Sequence, residues 1–95
     1  MFTEQEIHNL SPLFRAFGSS IRLMIIELIS ETKRPLHIKA VAKTLKKDYA
    51  TIYRHIGVLE KSGIVGVYEV GRSRVIYLKN SEKLKKFIQM AQNML

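Results

Sequence analysis

Leu36-His37-Ile38-Lys39-Ala40-Val41-Ala42-Lys43-Thr44-Leu45 runs into Lys46-Lys47-Asp48, and then into Tyr49-Ala50-Thr51-Ile52-Tyr53-Arg54-His55-Ile56-Gly57-Val58-Leu59-Glu60-Lys61-Ser62-Gly63-Ile64-Val65. Ile38, Val41, Ala42 and Leu45 recur at helical spacing, and Ile52, Ile56 and Leu59 resume it after the polar break. Asp48 is placed to cap the second of these helices, where first-turn amides and the helix dipole favour a carboxylate. Gly63 marks its C-terminal stop. Two β-rich runs follow, Val65–Val70 and Arg74–Leu78, joined by the turn Gly71-Arg72-Ser73. Two short helices about a tight turn, then a basic hairpin, offer one exposed helix of major-groove size with a cationic loop beside it.

The flanks extend the helical pattern. Thr3 with Glu6 resembles a capping box, ahead of apolar Ile7, Leu10, Leu13, Phe14 and Phe17. Pro12 falls inside that run, so the first helix is expected to kink or restart near Leu10. Gly18-Ser19-Ser20 ends it and supplies a hydroxyl cap for a second helix, whose face is read as Ile21, Met24, Ile25, Leu28 and Ile29. Leu36-His37-Ile38 is either extended or a cap. Asn80 or Ser81 caps a last helix carrying Leu84, Phe87, Ile88, Ala91, Met94 and Leu95. The whole is a mainly α chain with a small β-hairpin, a winged helix-turn-helix in the order α-α-α-α-β-β-α. Residues 1–95 form one domain, with the helix-turn-helix at 36–63 and the wing at 64–79.

Composition narrows the chemistry. The chain has 95 residues, 46% hydrophobic and 25% charged, which is ordinary for a globular domain. It has no cysteine, which excludes disulfides, thiolate catalysis and sulfur-ligated metal. The longest apolar run, Leu23–Ile29, is interrupted by Glu27 and is far short of a membrane span. The amino terminus shows no basic segment leading into an apolar one, so cytoplasm is the expected setting.

Charge placement says more than its total. The net charge of +8 is equalled by residues 32–79 alone, where 11 Lys or Arg face Asp48, Glu60 and Glu69. Residues 1–31 are net acidic, with Arg15 and Arg22 against Glu4, Glu6, Glu27 and Glu31. A basic excess confined to the helix-turn-helix and hairpin suits a polyanionic partner. The bland alternative is a lysine-rich solvated surface.

Leu13–Leu78 resembles the ArsR-type winged helix-turn-helix repressors. Phe14-Arg15-Ala16-Phe17-Gly18 and Ile21–Ile29 are similar to the family's opening helices. The stretch Asp48–Val65 matches its recognition-helix pattern without a gap, and Gly71-Arg72-Ser73 matches its wing tip. The resemblance implies a homodimer built from the first and last helices, residues 1–17 and 80–95. Ile7, Leu10, Phe14, Leu84, Phe87, Ile88, Ala91 and Met94 exceed what a small winged-helix core needs and are the expected interface; alternatively, these helices pack back on their own domain. Metal-sensing members carry cysteines before the recognition helix, or His and carboxylate ligands on the last one. Here the last helix offers only Glu82, Gln89, Gln92 and Asn93, so neither metal nor cofactor is expected.

With Ile52, Ile56 and Leu59 turned inward, the outer face of the recognition helix carries Tyr49, Ala50, Tyr53, Arg54 and Gly57. Arg54 can donate a fork of hydrogen bonds to a guanine. Tyr49 and Tyr53 can reach phosphates or pack on thymine methyls, or instead lie under the wing. Ala50 and Gly57 allow close approach. Thr51 bonds a phosphate or caps its own helix. Lys39, Lys43, Lys46 and Lys47 suit phosphate anchoring, with Arg72, Ser73 and Arg74 on a minor groove or its backbone, or else on a merely solvated hairpin tip. His55 matches a family position, but beside apolar neighbours it reads as a semi-buried structural imidazole. No phosphate-cradling glycine loop, paired carboxylates or nucleophile beside a base is present, which argues against an enzyme. The expected function is a dimeric, sequence-specific regulator of transcription on double-stranded DNA. A non-specific architectural DNA coat and a protein-interaction module are the alternatives.

Overall fold

A computed structural model describes residues 1–95. Its elements run α1 (Glu4–Phe17), α2 (Ser20–Thr32), β1 (Leu36–His37), α3 (Ile38–Leu45), α4 (Tyr49–Lys61), β2 (Val65–Val70), β3 (Ser73–Leu78) and α5 (Ser81–Asn93). The expected winged helix-turn-helix is present, with one strand more than the sequence showed. Leu36-His37 pairs antiparallel with β3, opposite Ile76 and Val75, so the sheet is three-stranded in the order β1-β3-β2.

Local chemistry sets the helix ends. Thr3 and Glu6 form a complete capping box at the start of α1. Ser19 accepts from the Arg22 amide to open α2, and Asp48 accepts from the Thr51 amide at 2.7 Å to open α4. Those N–H groups would otherwise lack partners in the first turn. At the end of α4 the Ile64 amide donates to the Leu59 carbonyl and the Gly63 amide to that of Glu60. This double closure needs a left-handed residue, and Gly63 supplies φ +76° without steric cost. The end of α3 closes the same way, Lys47 onto Ala42 and Lys46 onto Lys43, with Lys46 left-handed at φ 56°. That is how Lys46-Lys47-Asp48 turns the chain so tightly between α3 and α4.

Three local expectations are corrected. Helix α1 is continuous through Pro12 instead of restarting near Leu10. Pro12 is exposed, while Leu13, Ala16 and Phe17 pack on the core and hold the second half in line with the capped first half. The face of α2 is rotated: Ile25, Ile26 and Ile29 are buried, whereas Met24 is 47% exposed. Helix α5 starts after a left-handed Asn80 that makes no side-chain capping bond.

The core is one cluster. Ile52, Ile56 and Leu59 of α4 meet Ile38, Val41 and Ala42 of α3, Ile25, Ile26 and Ile29 of α2, and Val65 and Ile76 of the sheet. Each buried aliphatic side chain contributes roughly 1.5–3 kcal/mol through loss of apolar surface to water. The stripe expected for α4 is therefore the one that fixes its orientation, and its opposite face is left to solvent. No helix is long and apolar enough to cross a membrane.

Candidate nucleic-acid interface

Helix α4 turns its unburied side outward beside the hairpin. Tyr49 and Tyr53, one turn apart, stack with ring centroids 5.9 Å apart and planes 12° from parallel. They are 40% and 43% exposed, so neither is buried under the wing. Arg74, from β3, donates to the Tyr53 hydroxyl. Its guanidinium carbon lies 5.0 Å from the Tyr53 ring centroid, and its Nε is 4.0 Å from a Glu69 carboxylate oxygen. Register explains the meeting, since Glu69 and Arg74 are cross-strand partners on the side of the hairpin that faces α4.

Two concavities flank this ladder. A notch of about 420 Å³ at the amino-terminal end of α3 and α4 brings together Lys39, Tyr49, Arg72, Ser73 and Arg74, with His37 and Ala40. A groove of about 370 Å³ between α4 and β2 collects Tyr53, Arg54 and Gly57 with Arg74, bordered by Glu60 and Glu69. Lys46, Lys47 and Ala50 are exposed at the turn into α4, and Thr51 is half-buried in its first turn. Of the expected residues, Lys39, Tyr49, Tyr53, Arg54, Gly57, Arg72, Ser73 and Arg74 are thus brought together around Arg74, whereas Lys46, Lys47, Ala50 and Thr51 line neither concavity. A methyl group at Gly57 would meet nothing within 4 Å, so packing does not require glycine there.

Electrostatics around the ridge are uneven. Asp48 is held below the ordinary carboxylate range by the Thr51 amide first, then by the Thr51 hydroxyl, with Arg54 adding to it. Its negative charge serves the cap at the same helix end that carries Tyr49 and Ala50. His55, on the flank of α4, is turned toward α2. Arg22 Nη1 lies 3.0 Å from His55 Nδ1, while its Nε and Nη2 donate to the Ala16 and Arg15 carbonyls at 2.8 and 3.0 Å. A guanidinium has only donors, so Nδ1 accepts and the imidazole is neutral. Burial, then Arg22, then Arg54 lower the His55 pKa. The expected semi-buried structural imidazole is what the structure shows.

Sequence reasoning missed Glu69 and His37 around this face, and Arg22 as the partner of His55 on the α2 side of the helix. Glu69 was not readable as a partner of Arg74, because the expected three-residue turn Gly71-Arg72-Ser73 would set Arg74 opposite Val70. The turn is in fact Gly71-Arg72, with Ser73 opening β3 opposite Val70 and Arg74 falling opposite Glu69. Arg22 had no readable signal either, since its partners lie at the end of α1 and 33 residues downstream.

Comparison with known proteins fits this arrangement. The HVO_A0114 family model matches residues 19–82, from the cap of α2 to the start of α5. The chain belongs to the HVO_A0114 family. It is 33% identical over 86 residues to the helix-turn-helix-type transcriptional regulator YuzN of Bacillus subtilis, covering 85% of this chain and 92% of that one. To the regulator MJ1325 of Methanocaldococcus jannaschii it is 29% identical over 90 residues, 95% of this chain and 99% of that one. Among solved structures, the winged helix-turn-helix DNA-binding domain Mb0332 from Mycobacterium bovis, described as homodimeric and possibly ArsR-family, superposes with a TM-score of 0.81 at 14% identity, covering 97% of this chain and 88% of that one. HlyU from Vibrio cholerae does so at 0.76 and 17%, with 97% of each chain covered. This member of the HVO_A0114 family therefore has the ArsR-type winged helix-turn-helix fold that its sequence resembles.

Proposed function

We propose that this chain is a regulator of transcription that binds double-stranded DNA as a homodimer, with α4 in the major groove and the wing on the adjacent minor groove or backbone. The observation that carries the reading is the single open face on which Tyr49, Tyr53, Arg54, Arg72 and Arg74 converge. In this reading Arg54 reads base edges, while Lys39, Lys46, Lys47, Thr51, Arg72 and Ser73 set register on phosphates. Ala50 and Gly57 keep the helix surface low enough to enter the groove. Arg74 exchanges its contact with Glu69 for a phosphate. The chain performs no chemistry of its own and needs no metal or cofactor. It works in the cytoplasm.

The dimer part rests on α1 and α5. No residue of α5 is buried, although Phe87 packs at 5.1 Å from Phe17 and 6.0 Å from Phe14. Ile7, Phe14 and Met94 stay 50%, 53% and 88% exposed. With Leu10, Leu84, Phe87, Ile88 and Ala91 they form the proposed interface, although Leu84 also packs on the chain's own core.

Selection of bound duplexes from a random pool, followed by competition against random DNA, tests the function. A recovered palindromic site that outcompetes random duplex by at least about a thousandfold is expected. A ratio near one identifies an architectural coat instead. Arg54→Ala with Arg72→Ala abolishes specific binding in this reading.

A further inference from the structure

We propose that the cleft between the end of α2, the outer face of the hairpin and the start of α5 binds a small aryl carboxylate. It encloses about 740 Å³, within the range of pockets that hold small organic ligands. Its lining combines an apolar bed, made by Ile29, Pro35 and Leu78, with the rings of Tyr68 and Tyr77. Lys33, Arg34 and Lys85 line it too, and no carboxylate does. None of the three cations has an ion-pair partner. An uncompensated cationic cluster over an aromatic wall selects a planar anion.

The wall is built for flatness. Gly66 and Tyr77 are cross-strand partners, and a Cβ at Gly66 would lie 2.3 Å from Cζ of the Tyr77 ring. Only glycine lets that ring lie on the strand backbone. Tyr68, one cross-strand step away, meets it with centroids 5.7 Å apart at 54°, making an aromatic corner.

A defined backbone turn carries two of the three cations. Lys33 ends α2 in the left-handed conformation at φ 56°, a position where glycine is the usual residue. The Thr32 hydroxyl ties the turn by sharing its one proton between the Ile29 and Arg34 carbonyls, at 3.0 and 3.2 Å. Pro35 stiffens the next step. The turn thereby fixes where the backbone of Lys33 and Arg34 leaves α2 at the rim of the cleft. Hydroxyls of Ser30 and Ser81 add donors beside the cations. Tyr68 also borders the groove beside α4, so an occupied cleft touches the wing used in the proposed DNA contact.

Benzoate is the probe, titrated into the whole protein without DNA and followed by calorimetry and by the NMR signals of Tyr68 and Tyr77. The experiment is thereby independent of whether the chain binds DNA. One benzoate per chain is expected, bound at least about tenfold tighter than neutral benzamide, the fold-change that one charge-assisted contact supplies. Arg34→Ala with Lys85→Ala, both exposed positions, weakens benzoate by about tenfold or more with an unchanged circular dichroism spectrum. Gly66→Ala, which evicts the Tyr77 ring from the wall, weakens benzoate and benzamide alike. Equal affinity for benzamide, or an unchanged affinity in the double variant, overturns the proposal. Inorganic phosphate bound as tightly as benzoate overturns its aryl part.

Discussion

Arg22 and His55 couple three helices through one acceptor nitrogen. The guanidinium closes the end of α1 on two carbonyls and then leans on a neutral imidazole from α4. Protonating that ring would set two cations 3.0 Å apart. The unfolded chain takes this proton near the ordinary histidine value of 6.5, whereas the fold holds His55 below it. Between those values the unfolded state binds more protons, so stability rises with pH across the window. The contribution is full above about 6.5 and is lost as pH falls through the depressed folded value. Urea midpoints measured between about pH 5 and 7.5 should therefore drop on acidification. His55→Gln keeps an acceptor for Arg22 but has no proton to gain, and its midpoints should fall less steeply. Equal slopes in the two proteins would show that other groups set the acid response.

At the level of elements, α4 carries a cost that its own packing does not explain. Glycine inside a helix destabilises it by roughly 0.5–1 kcal/mol relative to alanine. Space is open around a methyl at Gly57, so Gly57→Ala should raise stability by about that amount. The same methyl protrudes into the groove beside Tyr53 and Arg54, and should weaken specific DNA binding by about tenfold or more. A gain in melting temperature with intact DNA affinity would remove Gly57 from the interface. How legible each element was follows from what its signal rested on. The period of Ile52, Ile56 and Leu59 and the caps at Thr3, Ser19 and Asp48 are local, and the structure keeps all of them. Strand β1 spans two residues, too few to show alternation, and exists only because β3 offers it a free edge. Pro12 carries a local penalty that points to a break, but Ala16 and Phe17 beyond it pack on the core and keep α1 continuous. The ridge on α4 was readable by subtraction from its buried stripe. The cleft behind the wing was not, because α2, the hairpin and α5 meet there only in three dimensions.

For the molecule as a whole, shape and charge together make the dimer testable. The chain measures 45 × 26 × 21 Å, and apolar side chains at Ile7 and Phe14 of α1 and at Met90 and Met94 on and just after α5 are exposed. Ile7→Glu with Met94→Glu changes two side chains that are at least half exposed in one copy, so the fold should survive. Sedimentation should then report a monomer, with an unchanged circular dichroism spectrum. Salt dependence follows from the same geometry. A dimer neutralising about six to ten phosphates should lose about 10³–10⁵ in affinity between 50 and 200 mM salt. Its two copies of α4 would enter major grooves about 34 Å apart along one face of the duplex. The monomeric variant reaches half as many phosphates, so its logarithmic salt slope should be about half the wild-type slope. Its affinity should also fall further than either substitution could cause locally, because the second contact is no longer intramolecular. A monomer that retained the full slope would place every phosphate contact on a single copy. The interface on α1 and α5 would then have no part in binding.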